Sequence, residues 1–222
     1  MNRQKATACF IPGFTLILAV MVFLPQTMSA QAGNGLELYN SWKFVEAEAI
    51  FREAVKANPG DLEAGYYLGL SLLMQDKSAE ALEILTKVKE ARDKEGGKAK
   101  TDVPDEYLIQ MALAQANLKL KQNDQAWKNL ELAGKAHADA ADIHVYRGVY
   151  YLNQENVKKA VKELEKAMEM DEHNVYAHYY AGHAYLRSGD AAKAVEVFKI
   201  FLQLAPAAPE ADKAKALIAA LC

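Results

Sequence analysis

Apolar residues in this chain recur at steps of three and four, the period that lines them up along one side of an α-helix. From Tyr180 to Pro206 the sequence reads YAGHAYLRSGDAAKAVEVFKIFLQLAP, two such stretches flanking the polar tetrad RSGD. The same layout surrounds NQEN in VYRGVYYLNQENVKKAVKEL, and KQND further upstream. Each predicts two helices joined by a short turn, because Asn, Asp, Ser and Gly supply turn conformations and helix starts. One detail resists the pattern. Gly182 and Gly148 fall inside the first helix of their pairs, where glycine costs about 1 kcal/mol relative to alanine.

A repeat accounts for them. Ala194 is preceded at 34-residue steps by Ala160 and Ala126, and Ala81 by Ala47. Four residues after each alanine stand Phe51, Leu85, Leu130, Leu164 and Phe198, and seven after it Ala54, Val88, Ala133, Ala167 and Phe201. These share one stripe of the second helix. Twelve residues before each alanine stand Gly35, Gly69, Ala114, Gly148 and Gly182, followed after three more by Leu38, Leu72, Asn117, Tyr151 and Tyr185. A small residue in register five times predicts close approach of the two helices, with the large residue of one filling space beside the small residue of the other.

YYLGLSLLMQDKSAEALEILTKV and the Tyr180–Pro206 segment both carry a Leu/Ala-Gly pair, a later aromatic or Leu, and Ala-x3-Phe/Leu; the latter ends in the closing Pro. This resembles the tetratricopeptide repeat family over residues 33 to 208. The resemblance implies an all-α solenoid of about five helix–turn–helix units with a C-terminal capping helix. The chain departs from the family pattern in places. Gly65, Gln110, His144 and His178 replace the early tryptophan, Asp93, Ala138 and Glu172 replace the closing proline, and Asn117 replaces an aromatic.

The regularity breaks at both ends and once in the middle. Residues 1–32 are read as a secretory signal peptide: Arg3 and Lys5, then the uncharged, largely apolar run Phe14–Leu24, then Pro25 and small residues. Cleavage is expected after Ala30 or Ala32. Ala32 is favoured, because bulky Met28 lies three places before the other cut. An uncleaved anchor is the alternative, and either arrangement exports the rest of the chain. ATAC, ending at Cys9, precedes the apolar run, so lipidation is not expected. Units one and two occupy 33–95, the first shortened by cleavage, and units three to five occupy 107–208. Between them, 96–106 belong to the charged stretch RDKEGGKAKTDVPDE, read as a solvated loop after an extended helix or as a joint or partner contact. In 209–222, Pro209 suits a first helical position, and Ala214, Leu217, Ile218 and Leu221 form a stripe that would cover the last unit.

Composition removes several function classes. A formal charge of −3 gives no basic footprint for nucleic acid. Cleavage would leave Cys222 alone, so no internal disulfide is expected. His173, His178 and His183 step by five and do not converge on a metal. HExxH, CxxC, GxSxG and phosphate-cradling glycine loops are absent from the sequence. Lys159 and Glu163, four apart, read as a surface pair, and the carboxylates generally read as solvent-facing. No catalysis, cofactor or metal is expected.

In the family it resembles, the first helices of successive units line a concave groove that takes partner segments. The corresponding positions are Tyr66, Leu70, Leu73 and Met74 in unit two and Met111, Gln115 and Leu118 in unit three. Unit four offers Val145, Val149 and Leu152, and unit five offers Tyr176, Tyr179, His183 and Leu186. Helices this apolar are either buried between units or form a binding surface. Tyr176, Tyr179 and His183 are expected at the surface, because amphipathic rings present a polar tip. The Lys and Asn positions with which some relatives grip acidic tails hold Tyr66, Leu70, Met111, Gln115, Val145 and Val149. A carboxylate clamp is therefore not expected, and apolar or aromatic segments are. The functional expectation is a non-catalytic scaffold, exported and facing the periplasm, that binds other envelope proteins. Two alternatives use the same features: a small-molecule or lipid carrier in the groove, and self-assembly through the N-terminal edge or Cys222.

Overall fold

The computed structural model describes residues 26–94 and 104–221, with side chains from Gly33 onward. The described residues form eleven helices and no strand. In chain order they are α1 (Gln26–Asn40), α2 (Phe44–Ala57), α3 (Leu62–Met74), α4 (Ser78–Lys94), α5 (Glu106–Lys119) and α6 (Asn123–Ala136). Then follow α7 (Ala141–Asn153), α8 (Val157–Met170), α9 (Val175–Ser188), α10 (Ala191–Leu204) and α11 (Ala211–Leu221). Each helix packs on the next, α4 on α5 included, although residues 95–103 between those two are not described. The odd-numbered helices α1 to α9 also touch their odd-numbered successors, whereas even-numbered ones do not pack on one another. Odd helices therefore form an inner layer and even helices an outer one, as in the solenoid expected.

The curl is tight. Tyr176 Oη, on α9, lies 3.8 Å from Met74 Sδ, on α3, across 102 residues of sequence. Trp42, in the first turn, packs against the core of the last two units. The inner faces of the early and late units thus converge.

Local chemistry sets the helix limits. Asp61, Asp105, Asn156, Asn174 and Asp190 each accept a hydrogen bond from a first-turn backbone N–H, satisfying a donor the helix cannot. The turns within pairs share one conformation. Trp42, Asp76, Lys121, Glu155 and Gly189 occupy equivalent places, and all have positive φ, from 57° to 85°. Only the last is a glycine.

The glycine pattern is a packing pattern. The five anchor alanines, Ala47, Ala81, Ala126, Ala160 and Ala194, are all 0% exposed. A Cβ placed at Gly69 would meet Leu85 at 2.6 Å, at Gly148 Leu164 at 2.5 Å, and at Gly35 Phe51 at 2.9 Å. In unit three Ala114 takes the glycine's place opposite Leu130, and both are fully buried.

Several expectations need correction. The first i→i−4 bond of α11 runs from the Ala214 N–H to the Glu210 carbonyl, so Glu210 is the capping residue and Pro209 precedes it. Ala214 is buried and Leu217 and Ile218 half-buried, but Leu221 is 37% exposed, so only the start of α11 covers the last unit. Helix α1 extends back through Ala30 and Ala32. The residues before Gln26, 95–103 and Cys222 lie outside the described part, and with them most of the leader and insert. Glu163 does not pair with Lys159: it bonds His144 Nδ1 at 2.7 Å, while the Lys159 ammonium sits 5.2 Å from the Tyr151 ring centroid.

The exceptional residues of unit three form a polar ladder. Arg92 pairs with Glu106. Glu106 accepts from Gln110 at 2.7 Å, Gln110 from Asn129 at 2.6 Å, and Asn129 from Asn117 at 3.1 Å. Gln110 and Asn117 are buried, and each partner satisfies a group that would otherwise be stranded.

Candidate partner-binding cavity

The convergence of the inner helices leaves a cavity of about 490 Å³ on the concave side. Met74 comes from the end of α3, Leu118 and Lys119 from α5, and Val149, Leu152 and Asn153 from α7. Tyr179, Tyr180, His183 and Arg187 come from α9. The turn residues Asp76 and Lys121 stand at one side, and Pro209, Glu210 and Lys213 of the capping segment close another. The volume lies in the range of sites that accept a few side chains or a small ligand.

Its polar rim is built by the repeat. Lys119, Asn153 and Arg187 recur at 34-residue steps, each at the end of an inner helix. Each reaches back to the preceding unit. The Lys119 ammonium donates to Asp76 at 2.5 Å, the Asn153 amide to the Leu118 carbonyl at 3.0 Å, and the Arg187 guanidinium to the Leu152 carbonyl at 2.8 Å. The Leu118 and Leu152 carbonyls also accept turn N–H groups, from Lys121 at 3.1 Å and Glu155 at 3.2 Å, so the side chains use their second lone pairs and tie each unit to the turn before it.

Burial tunes the groups inside. It pulls the His183 imidazole down to about 4, assisted by Lys213 and Arg187, so His183 is neutral at physiological pH. Burial also raises the Glu210 carboxyl and pushes the Tyr179 phenol up to about 12. His183 Nε2 and Glu210 Oε2 are buried without a hydrogen-bond partner. Both residues line the cavity, but these two atoms are closed off from it.

A family model described as Tetratricopeptide repeat matches residues 33–96, 111–173 and 147–209. The chain belongs to the tetratricopeptide repeat family. Proteins of this family are generally non-catalytic interaction modules. Among solved structures, TTC0263, a thermophilic TPR protein of Thermus thermophilus, is similar at 21% identity and a TM-score of 0.69. The match covers 87% of this chain and 98% of that one. MamA from Desulfovibrio magneticus RS-1, from residue 41 to its end, is similar at 20% identity and a TM-score of 0.53, covering 82% and 97%. These are likenesses of fold. A search of curated proteins found no match.

The tetratricopeptide groove positions split in two. Met74, Leu118, Val149, Leu152, Tyr179 and His183 come together around the cavity; Tyr66, Leu70, Leu73, Met111, Gln115, Val145, Tyr176 and Leu186 do not line it. Tyr66, Leu73, Met111, Leu118, Val145, Leu152 and Tyr179 are buried, the others half-buried. Leu73 and Val145 belong to the interior because the curl presses inner helices together. Tyr179, expected at the surface, is 5% exposed; its ring packs on Phe201, with centroids 5.1 Å apart. The cavity reaches Met74 but not Tyr66 or Met111.

Sequence reasoning missed the charged and amide part of this site: Asp76, Lys119, Lys121, Asn153, Arg187, Glu210 and Lys213. The signal for three of them was present. Polar residues at 119, 153 and 187 keep the 34-residue register inside otherwise apolar helices. The capping segment's share was not legible, since nothing in the sequence of α11 indicates that its approach crosses the concave side.

Proposed function

We propose that this chain is an exported, non-catalytic scaffold of a bacterial envelope that holds segments of partner proteins in its concave cavity. The observation that carries the reading is the cavity itself: Met74, Leu118, Val149, Leu152 and Tyr179 give it apolar walls, and no single unit builds it. An apolar or aromatic side chain inserted there exchanges water for those walls, at about 25 cal/mol for each Å² buried. Export rests on the charged start, apolar run and small-residue segment of residues 1–32. Among the described residues, no helix is long and apolar enough to cross a membrane.

Photo-crosslinking in cells tests the reading. Tyr179 is too buried to serve as a probe, so the photoreactive residue replaces Val149 or His183, both half-buried on the cavity wall. Lys162, exposed on the outer helix α8, is the control. A crosslink from the cavity sites and not from Lys162, mapped by mass spectrometry to one segment of one envelope protein, is expected. Equal capture from both faces, or capture from neither, overturns the cavity as the docking site.

A further inference from the structure

The cavity rim carries Lys119, Lys121, Arg187 and Lys213 against only Asp76 and Glu210, on a chain whose formal charge is −3. Two of the cations are engaged: Lys119 with Asp76, and Arg187 with the Leu152 carbonyl. Lys121 and Lys213 make no ion pair among the described residues, and both are exposed. They stand on different elements, one in the turn after α5 and the other on the capping helix. Lys213 acts electrostatically on both His183 and Glu210 without pairing with either. Positive charge is thus concentrated at the edge of an apolar hollow.

We infer that the cavity selects internal segments in which a large apolar or aromatic side chain is flanked by carboxylates, and that the capping helix grips such segments through Lys213. The inference rests on the scaffold reading and deepens it. The apolar side chain sits between Val149, Leu152 and Tyr179, and the flanking carboxylates meet Lys121 and Lys213. Potentials of opposite sign steer encounter and reject basic competitors. Glu210 opposes the carboxylates, so it tunes the preference downward. The α11 segment is therefore part of the binding site as well as an end cap.

End-blocked fluorescent peptides with a fixed Trp-Leu core and flanks of Glu, Ser or Lys test this by anisotropy against the full chain. Blocking both ends ensures that side chains, and not a terminal carboxylate, are read. Binding is expected to fall in the order Glu, Ser, Lys, and the difference to shrink at high salt. Lys121→Glu and Lys213→Glu are each expected to weaken the Glu-flanked peptide on the order of fivefold to tenfold. Lys215→Glu, on the same helix but paired with Asp212 and away from the cavity, leaves binding unchanged. Glu210→Gln strengthens it, a gain that misfolding cannot produce. Equal binding of all flanks, a preference for Lys, insensitivity to Lys213→Glu, or binding by none of the peptides overturns the inference. Cavity crosslinks from Val149 that persist alongside any of these results leave the scaffold reading standing. Loss of the crosslinks removes both.

Discussion

A Cβ added to Gly182 would lie 2.5 Å from Phe198 Cε1 and 2.6 Å from its Cζ. Phe198 is fully buried, and its rigid ring has nowhere to turn. The glycine that weakens α9 is the condition for α9 and α10 to touch. Gly182→Ala gains about 1 kcal/mol of helix propensity but overpacks a filled core, which costs about 1–3 kcal/mol. Its net effect in urea denaturation is expected to be a loss of up to about 2 kcal/mol. Combining it with Phe198→Leu recreates the Ala114–Leu130 pairing of unit three. The double variant should lose less than the sum of the single ones; additivity would mean that the two residues are not in conflict.

The turn within each pair carries a second, independent lever. Glu155 holds φ at 58°, where an L-residue is strained, while Gly189 does the same job at 85° without penalty. Glu155 is exposed and lies outside the cavity. Glu155→Gly should therefore stabilise the protein by about 0.5–1 kcal/mol, net of glycine's greater freedom when unfolded. Gly189→Ala should cost about 1 kcal/mol. Thermal melts of the two variants should move in opposite directions.

These two cases show what the sequence discloses. The repeat phase, the small-against-large helix contacts and the turn positions all follow from a 34-residue register, because each depends on neighbours within one unit. The curl depends on small rotations accumulated over units, which no single unit encodes. Tyr179 was therefore expected at the surface and Leu73 at the groove, although both are buried. Lys213, off the apolar stripe of α11, lies at the cavity for the same reason. Lys119, Asn153 and Arg187 kept the register and were legible in principle; Glu210 became part of the site only through the path of the chain into α11.

Asn117 stands where the repeat has an aromatic, and it ends a ladder of amides. Asn129 is the hinge of that ladder, donating to Gln110 at 2.6 Å and accepting from Asn117 at 3.1 Å. Asn129→Ala removes the donor to Gln110 Oε1 and one acceptor of the Asn117 amide, which keeps the Leu113 carbonyl at 2.8 Å. Gln110 is buried, and stranding its oxygen costs about 1–3 kcal/mol. A fall in stability of about 1–2 kcal/mol is expected by calorimetry, against less than about 0.5 kcal/mol for the exposed neighbour Lys128→Ala. A loss as small as that of the neighbour would show that water satisfies the amides and that the ladder contributes little.

Glu48 ties the first pair of helices to the second. It accepts from Arg52 at 2.6 Å, from Lys77 at 2.7 Å and from the Gln75 amide at 2.7 Å. Burial pushes its carboxyl up, but those three donors outweigh it and hold the group at about 2, against an ordinary value of 4.5. A depressed folded value means that folding favours the charged form. The contribution is then complete above pH 4.5 and disappears as pH falls towards 2. At neutral pH, Glu48→Gln should lower stability by about 1 kcal/mol, the scale of a partly solvated ion-pair network. The gap between wild type and variant in urea midpoints should close across that acid window and stay constant from pH 5 to 8. A gap that persists below pH 2 would assign the effect to packing of the side chain and not to its charge.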